Sequence, residues 1–428
     1  MLFKKLLALS LLAVTATAQA NNQCLHFDDA LKLAAQTDPA VLTARAQQAE
    51  AEANVTEAKS LFKPQISAFG RSGLGDVGVV DSAIQNQLGL RVSQRLFDFG
   101  DAKYARRIAN FNLEATAADI RQAQMLAAQE SGLLFLSLME VDEQLEITKQ
   151  RYDFFKRQLN AVDDLLQQGG ATRSERADVA AELAETEAFI LELQFQREQA
   201  ETRLTISTGV DSASCKTVDL NNYFRTQMAG LTSSEQAISK AIDENPALAA
   251  LEKRADALGA ESKRERLNHL PVIDVVGLSS YTSGEDNSSS FELQNRVGLD
   301  ISVPIFSGNS LRARKRQAAA RENAARSEAL DARRQLRESV SIIYRRINSL
   351  DRQLSSRENV EEQKLEQFSA AEAEYSAGVR ALPDLIDIRI DYEQSSLDRI
   401  RIQYDLLQQR LQLLIFTSLF SLDFNENV

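Results

Sequence analysis

The sequence predicts a mixed α+β chain, mainly α, in which long antiparallel coiled-coil helices carry four β-strands. Three observations predict it: a shortage of chain breakers, a plan that occurs twice, and two stretches where the apolar period falls from 3.6 residues to 2. Only 6 Pro and 17 Gly occur among 428 residues, where average usage would give about 20 and about 30. Ala, Glu, Gln, Arg and Leu dominate instead, and all are good helix formers.

The repeat organises the rest. Asp28 to Val41 resembles Glu235 to Leu248, and the 207-residue interval from Pro39 to Pro246 recurs from Pro64 to Pro271 and from Gly70 to Gly277. Phe97 and Phe306, like Gly169 and Gly378, lie 209 apart, so the intervening hairpins differ by two residues. The chain therefore divides into a first repeat over 21–225 and a second over 226–428. Residues 1–20 stand apart. Lys4 and Lys5, the apolar run Leu6 to Val14 and Ala18-Gln-Ala20 read as a cleavable signal peptide.

Each half follows one order. A helix is expected over about Phe27 to Leu61 and about Ser233 to Leu267, with Pro39 and Pro246 marking a turn. Past Pro64 and Pro271, Gln65 to Arg71 and Val272 to Tyr281 begin hairpins. In the second strands, Leu88, Leu90, Val92 and Leu96 alternate with Gly89, Arg91, Ser93 and Arg95, and Val297, Leu299, Ile301, Val303 and Ile305 alternate with Gly298, Asp300 and Ser302. Such alternation is a strand with one apolar face. A very long helix comes next, over about Asp101 to Gln168 and about Ser310 to Ala377, with no Pro and only Gly132 as glycine. At 1.5 Å per residue, ~67 residues reach about 100 Å. Gly169-Gly170 and Gly378 then reverse the chain into helices over about Ser174 to Ser207 and Pro383 to Ser418. Tyr152, Phe155, Leu159, Val162 and Leu166, and Leu397, Ile400, Tyr404, Leu407, Leu411 and Leu414, step by 3 and 4 as a coiled-coil seam does.

Composition excludes several functions. A net charge of −12 argues against nucleic acid as a partner. Two His, two Cys and no paired nucleophile and base argue against an enzyme, a metal site or a cofactor. No later stretch reaches the ~20 apolar residues of a membrane helix. Four strands cannot close into a barrel, so an exported chain of this kind is expected to pool strands from several copies, apolar side to lipid. The competing expectation is a periplasmic coiled-coil scaffold without a pore.

Asn245-Pro246, Gln94 to Gly100, Val303 to Gly308 and above all Tyr375-Ser-Ala-Gly-Val-Arg380-Ala-Leu-Pro-Asp384-Leu-Ile-Asp387 resemble the TolC-like outer-membrane efflux family. The likeness runs over residues 24–428. It implies a homotrimer whose strands form a twelve-stranded transmembrane β-barrel surrounded by outer-membrane lipid, above a helical periplasmic tunnel. It implies as partners a periplasmic adaptor (membrane fusion) protein and an inner-membrane transporter of ABC, RND or MFS type. The cargo would be drugs or, in type I secretion, unfolded proteins.

The same resemblance implies a gate at the turns around Gly169 and Gly378. Tyr375 and Arg380 would tether the inner helix pair, and Ser174 and Glu175 would supply the hydroxyl and carboxylate partners, with Glu where the family more often has Asp. Asp384 and Asp387 would form an acidic ring at the entrance. The residues also carry a plainer reading: Thr172 to Glu175 is a capping box, and Pro383-Asp384 is a helix start. Cys24 and Cys215 flank the first repeat and form a candidate disulfide near mid-tunnel on that fold.

Overall fold

A computed structural model describes residues 24–76, 82–210, 219–283 and 291–418. The signal-peptide segment, most of the two hairpin connections and Cys215 lie outside the described residues. The elements are α1 (Phe27–Thr37), α2 (Pro39–Ser60), β1 (Gln65–Asp76), β2 (Ser82–Phe97), α3 (Asp101–Gln167), α4 (Arg173–Thr208), α5 (Leu220–Gln227), α6 (Ser234–Glu244), α7 (Pro246–Glu265), β3 (Val272–Ser283), β4 (Phe291–Ser302), α8 (Ser310–Ser376) and α9 (Leu382–Phe416). Two helices, a hairpin and two helices thus occur twice, with the short α5 between.

Each opening helix is two helices rather than one. A residue before proline is pushed out of the helical region, and Asp38 (ψ 132°) and Asn245 (ψ 118°) are extended. Both then cap the next helix: Asp38 Oδ1 accepts from the Ala40 N–H at 2.7 Å, and Asn245 Oδ1 accepts from the Leu248 N–H at 3.1 Å. The long helices follow expectation, and α3 and α8 are 67 residues each.

The hairpins join into one antiparallel sheet, β1-β2-β3-β4. The expected alternation stops sooner than the pattern suggested. A bulge after Arg95 puts Phe97 opposite Ile273, and β4 ends at Ser302 because Pro304 has no N–H for the ladder. One face carries Ile66, Leu88, Leu90, Val92, Val297, Leu299 and Ile301, all exposed, Val297 by 82%.

The main core joins α1, α3, α4, α5 and α9 around Phe27, Phe135, Phe224, Leu407 and Leu411. Gly132 fits that packing: a Cβ there would lie 2.7 Å from Leu411 Cδ2, so a larger residue would have to push the leucine tip aside. Beside it, Ser131 Oγ donates to the Ala30 carbonyl at 3.1 Å. The seam residues Ile400, Tyr404, Leu407, Leu411 and Leu414 are all buried. No described helix is long and apolar enough to cross a membrane.

Candidate gate at the helical tips

Both long helices end in the same backbone motif. The Gly170 N–H bonds the Leu165 carbonyl (2.8 Å) and the Gly169 N–H bonds Leu166 (3.1 Å). In the second half the Val379 N–H bonds Glu374 and the Gly378 N–H bonds Tyr375, each at 2.9 Å. This 6→1, 5→2 pairing needs a left-handed residue, and Gly169 (φ 74°) and Gly378 (φ 73°) supply it.

In the first tip, Thr172 caps α4. Its Oγ1 accepts from the Glu175 N–H (3.2 Å), while Glu175 Oε2 accepts from the Thr172 N–H (2.7 Å) and hydroxyl (2.9 Å). These bonds favour the charged form and hold the Glu175 pKa below its ordinary value. Ser174 is exposed beside it. In the second tip, Arg380 reaches back to its own hairpin, with Nε 2.9 Å and Nη2 2.7 Å from Glu374 Oε2. Within one chain Arg380 is thus placed on Glu374 rather than on Ser174 or Glu175.

Tyr375 does bring the tips together. Its ring packs on the core of Phe155, Val162, Leu382 and Leu385. Burial, then the nearby Glu175 carboxylate, raises its hydroxyl pKa. Asp384 and Asp387 are exposed one turn apart on α9, opposite the buried Leu382, Leu385 and Ile386. Neither makes an ion pair with another described residue.

Just above the tips lies a charged cluster that sequence reasoning missed. Arg389 and Glu393 of α9 are buried, 7% and 2% exposed, and pair at 2.8 Å. Arg151 of α3 lies 3.4 Å from Glu393 and 2.9 Å from Glu182 of α4. The Arg389 guanidinium stands over Phe368 of α8 at 4.8 Å and Phe154 of α3 at 5.2 Å. All four coiled-coil helices meet on this layer. Burial outweighs both arginines and pushes the Glu393 pKa up to about 7. The missed signal was spacing: Leu382, Leu385, Ile386, Arg389 and Glu393 share one helical face.

Higher up, burial and then Asp405 raise Glu140 of α3 to about 7. At the start of the first repeat, Cys24 is disulfide-bonded and not a free thiol.

The sequence profile of the outer membrane efflux protein family matches residues 30–210 and 237–416. The outer membrane protein TolC of Vibrio cholerae is 22% identical over 424 residues, covering 96% of this chain and 94% of that protein. The alkaline protease secretion protein AprF of Pseudomonas aeruginosa is 23% identical over 324 residues, 74% of this chain and 66% of that one. The CmeC outer membrane channel of Campylobacter jejuni shares the fold with a TM-score of 0.78 at 15% identity, over 92% of this chain and 85% of its own. By a match that covers both halves, the chain belongs to the TolC-like outer membrane efflux protein family, seated in the outer membrane with a periplasmic tunnel.

Proposed function

We propose that this chain is one third of an exit duct: three copies close a twelve-stranded barrel, and their helices form the tunnel below it. One observation carries the reading. The sheet has a largely exposed apolar face and two strands, β1 and β4, with an edge unpaired within the chain. Unpaired edges and bare apolar faces are costly in water. Closure against further copies, with lipid outside, removes both costs.

The duct accepts cargo from an inner-membrane transporter through a periplasmic adaptor and needs no chemistry of its own. Its gate is the tip pair, with Tyr375, Arg380, Ser174 and Glu175 as tethers and Asp384 and Asp387 as the entrance ring. Breaking the tethers lets the α8–α9 pair untwist outward, a two-state element that a partner can bias. Efflux of small molecules and secretion of protein use the same conduit. A bond from Cys24 to Cys215 staples the first repeat near mid-tunnel.

Purified protein from outer-membrane fractions is expected to run as a heat-resistant trimer and to open discrete conductance steps in planar bilayers. A monomer that washes off membranes and conducts nothing would leave the pore-free scaffold as the answer.

A further inference from the structure

The sheet's second face holds a charge that nothing around it balances. Across the register, Arg91 of β2 lies opposite Leu278 of β3, and Leu278 lies opposite Arg296 of β4. Directly opposed residues share a face, so both arginines point to the same side with one leucine between them. At strand spacings of about 4.8 Å, their backbones stand about 10 Å apart. Both side chains are exposed, and neither makes an ion pair with a described residue.

The surroundings do not supply an anion. One step away on the same face, the neighbours are Gly89 and Ser93, Val276 and Ser280, and Gln294 and Gly298. None is acidic. A Cβ built on Gly298 would meet nothing within 4 Å, so the space beside Arg296 is open, while on the Arg91 side the Phe69 ring lies over Gly89. Toward the helices the charge is balanced instead: Arg95 lies 3.5 Å from Asp274, 3.7 Å from Asp101 and 3.9 Å from Asp98. The bare pair is therefore a local exception in a chain of net charge −12.

We infer that Arg91 and Arg296 form an oxyanion-binding belt inside the barrel. The inference rests on the trimeric duct proposed above, in which the apolar face meets lipid and this face lines the lumen. Each copy contributes one pair, so three pairs ring the channel roughly midway along β3 and β4. Guanidinium forks bind phosphate and carboxylate oxygens in two-point fashion. A pore wall with little counter-charge focuses that field. The ligand class is a multivalent oxyanion, free or carried on passing cargo. The duct then has opposite preferences at its ends, cations at the Asp384 and Asp387 entrance and anions in the barrel.

Inorganic tripolyphosphate is the probe, read both by calorimetry on the solubilised trimer and by current block from the barrel side. The wild type is expected to bind and to be blocked. The Arg91→Gln, Arg296→Gln double variant should need about tenfold more tripolyphosphate in both assays, a loss of about 1.4 kcal/mol. The Arg91→Lys, Arg296→Lys variant keeps the charge and should stay within a few-fold of wild type. Equal binding by the Gln variant, or none by the wild type, overturns the belt. A trimer that binds tripolyphosphate but never conducts counts against the duct, not against the arginines.

Discussion

The two tips share a backbone and differ in what is hung on it. Gly169 and Gly378 turn the chain with the same pair of hydrogen bonds and nearly the same φ. In the first tip, most polar groups bond locally: Glu175 Oε2 takes both Thr172 bonds and Arg176 pairs with Asp163, while Glu175 Oε1 is left for a tether. In the second, a single arginine–glutamate contact crosses the turn, and Asp384 and Asp387 of α9 make no ion pair with another described residue. Turn geometry came with the duplication; the polar side chains diverged. The first tip puts most of its polar bonds into its own shape, and the second leaves its acids to meet something outside its own chain.

The largest expected effect separates the two. Arg380→Ser should raise single-channel conductance several-fold, whereas Thr172→Ala, which costs about 1 kcal/mol of local helix stability, should leave conductance near wild type. The reverse ranking would make the first tip the gate. A smaller effect follows from the unpartnered acids. Asp384→Ala with Asp387→Ala should shift the reversal potential in a salt gradient toward anions and weaken block by multivalent cations from the tip side. An unchanged reversal potential and block would remove both residues from the entrance.

The smallest effect lies where α3 packs on α9. Glu140 faces Asp405 and Arg401 of α9 and Glu143 of its own helix, and it accepts from Gln144 Nε2 at 3.1 Å. Its pKa rises from 4.5 to about 7 on folding, so the native state holds the proton more tightly than the unfolded chain. Stability from this group is therefore greatest below about 4.5 and is lost as pH rises to about 7. Glu140→Gln should leave the melting temperature unchanged near pH 4.5 and raise it by a few degrees near pH 8. A difference that does not grow with pH would place the charge penalty elsewhere.

Much of this was legible because helix ends are written in glycine and proline. The bounds of α3 and α8 fall within a residue of those read from Gly100, Gly169, Gly308 and Gly378. The exposed sheet face was legible in Leu88, Leu90 and Val92, where period 2 is unambiguous. What stayed hidden was set by tertiary contact. Only its Asp219 cap, which accepts from the Asn222 N–H at 3.1 Å, announces α5 locally; Leu220 and Phe224 of its eight residues are ordered by packing in the core of α1 and α3. Arg151, Glu182, Arg389 and Glu393 look like solvated charges until three aromatic rings close over one of them. Partners of Asp384 and Asp387, by contrast, are not found in a single chain.

The joints between strand and helix also differ between the halves. After β2, Phe99 and Gly100 are both left-handed, and buried Asp98 accepts from the Gly100 N–H at 3.0 Å and the Ala102 N–H at 2.8 Å. After β4, Gly308 and Asn309 are left-handed too, but the Asn309 side chain makes no capping bond, and Phe306 is 87% exposed. A helix of ~67 residues is a lever about 100 Å long. One degree of rotation at its elbow moves its far end by about 1.7 Å, so an elbow's stiffness is felt mostly at the opposite end of the molecule. The braced elbow belongs to the half whose tip carries the Thr172 cap, and the unbraced one to the half whose Asp384 and Asp387 make no ion pair with another described residue.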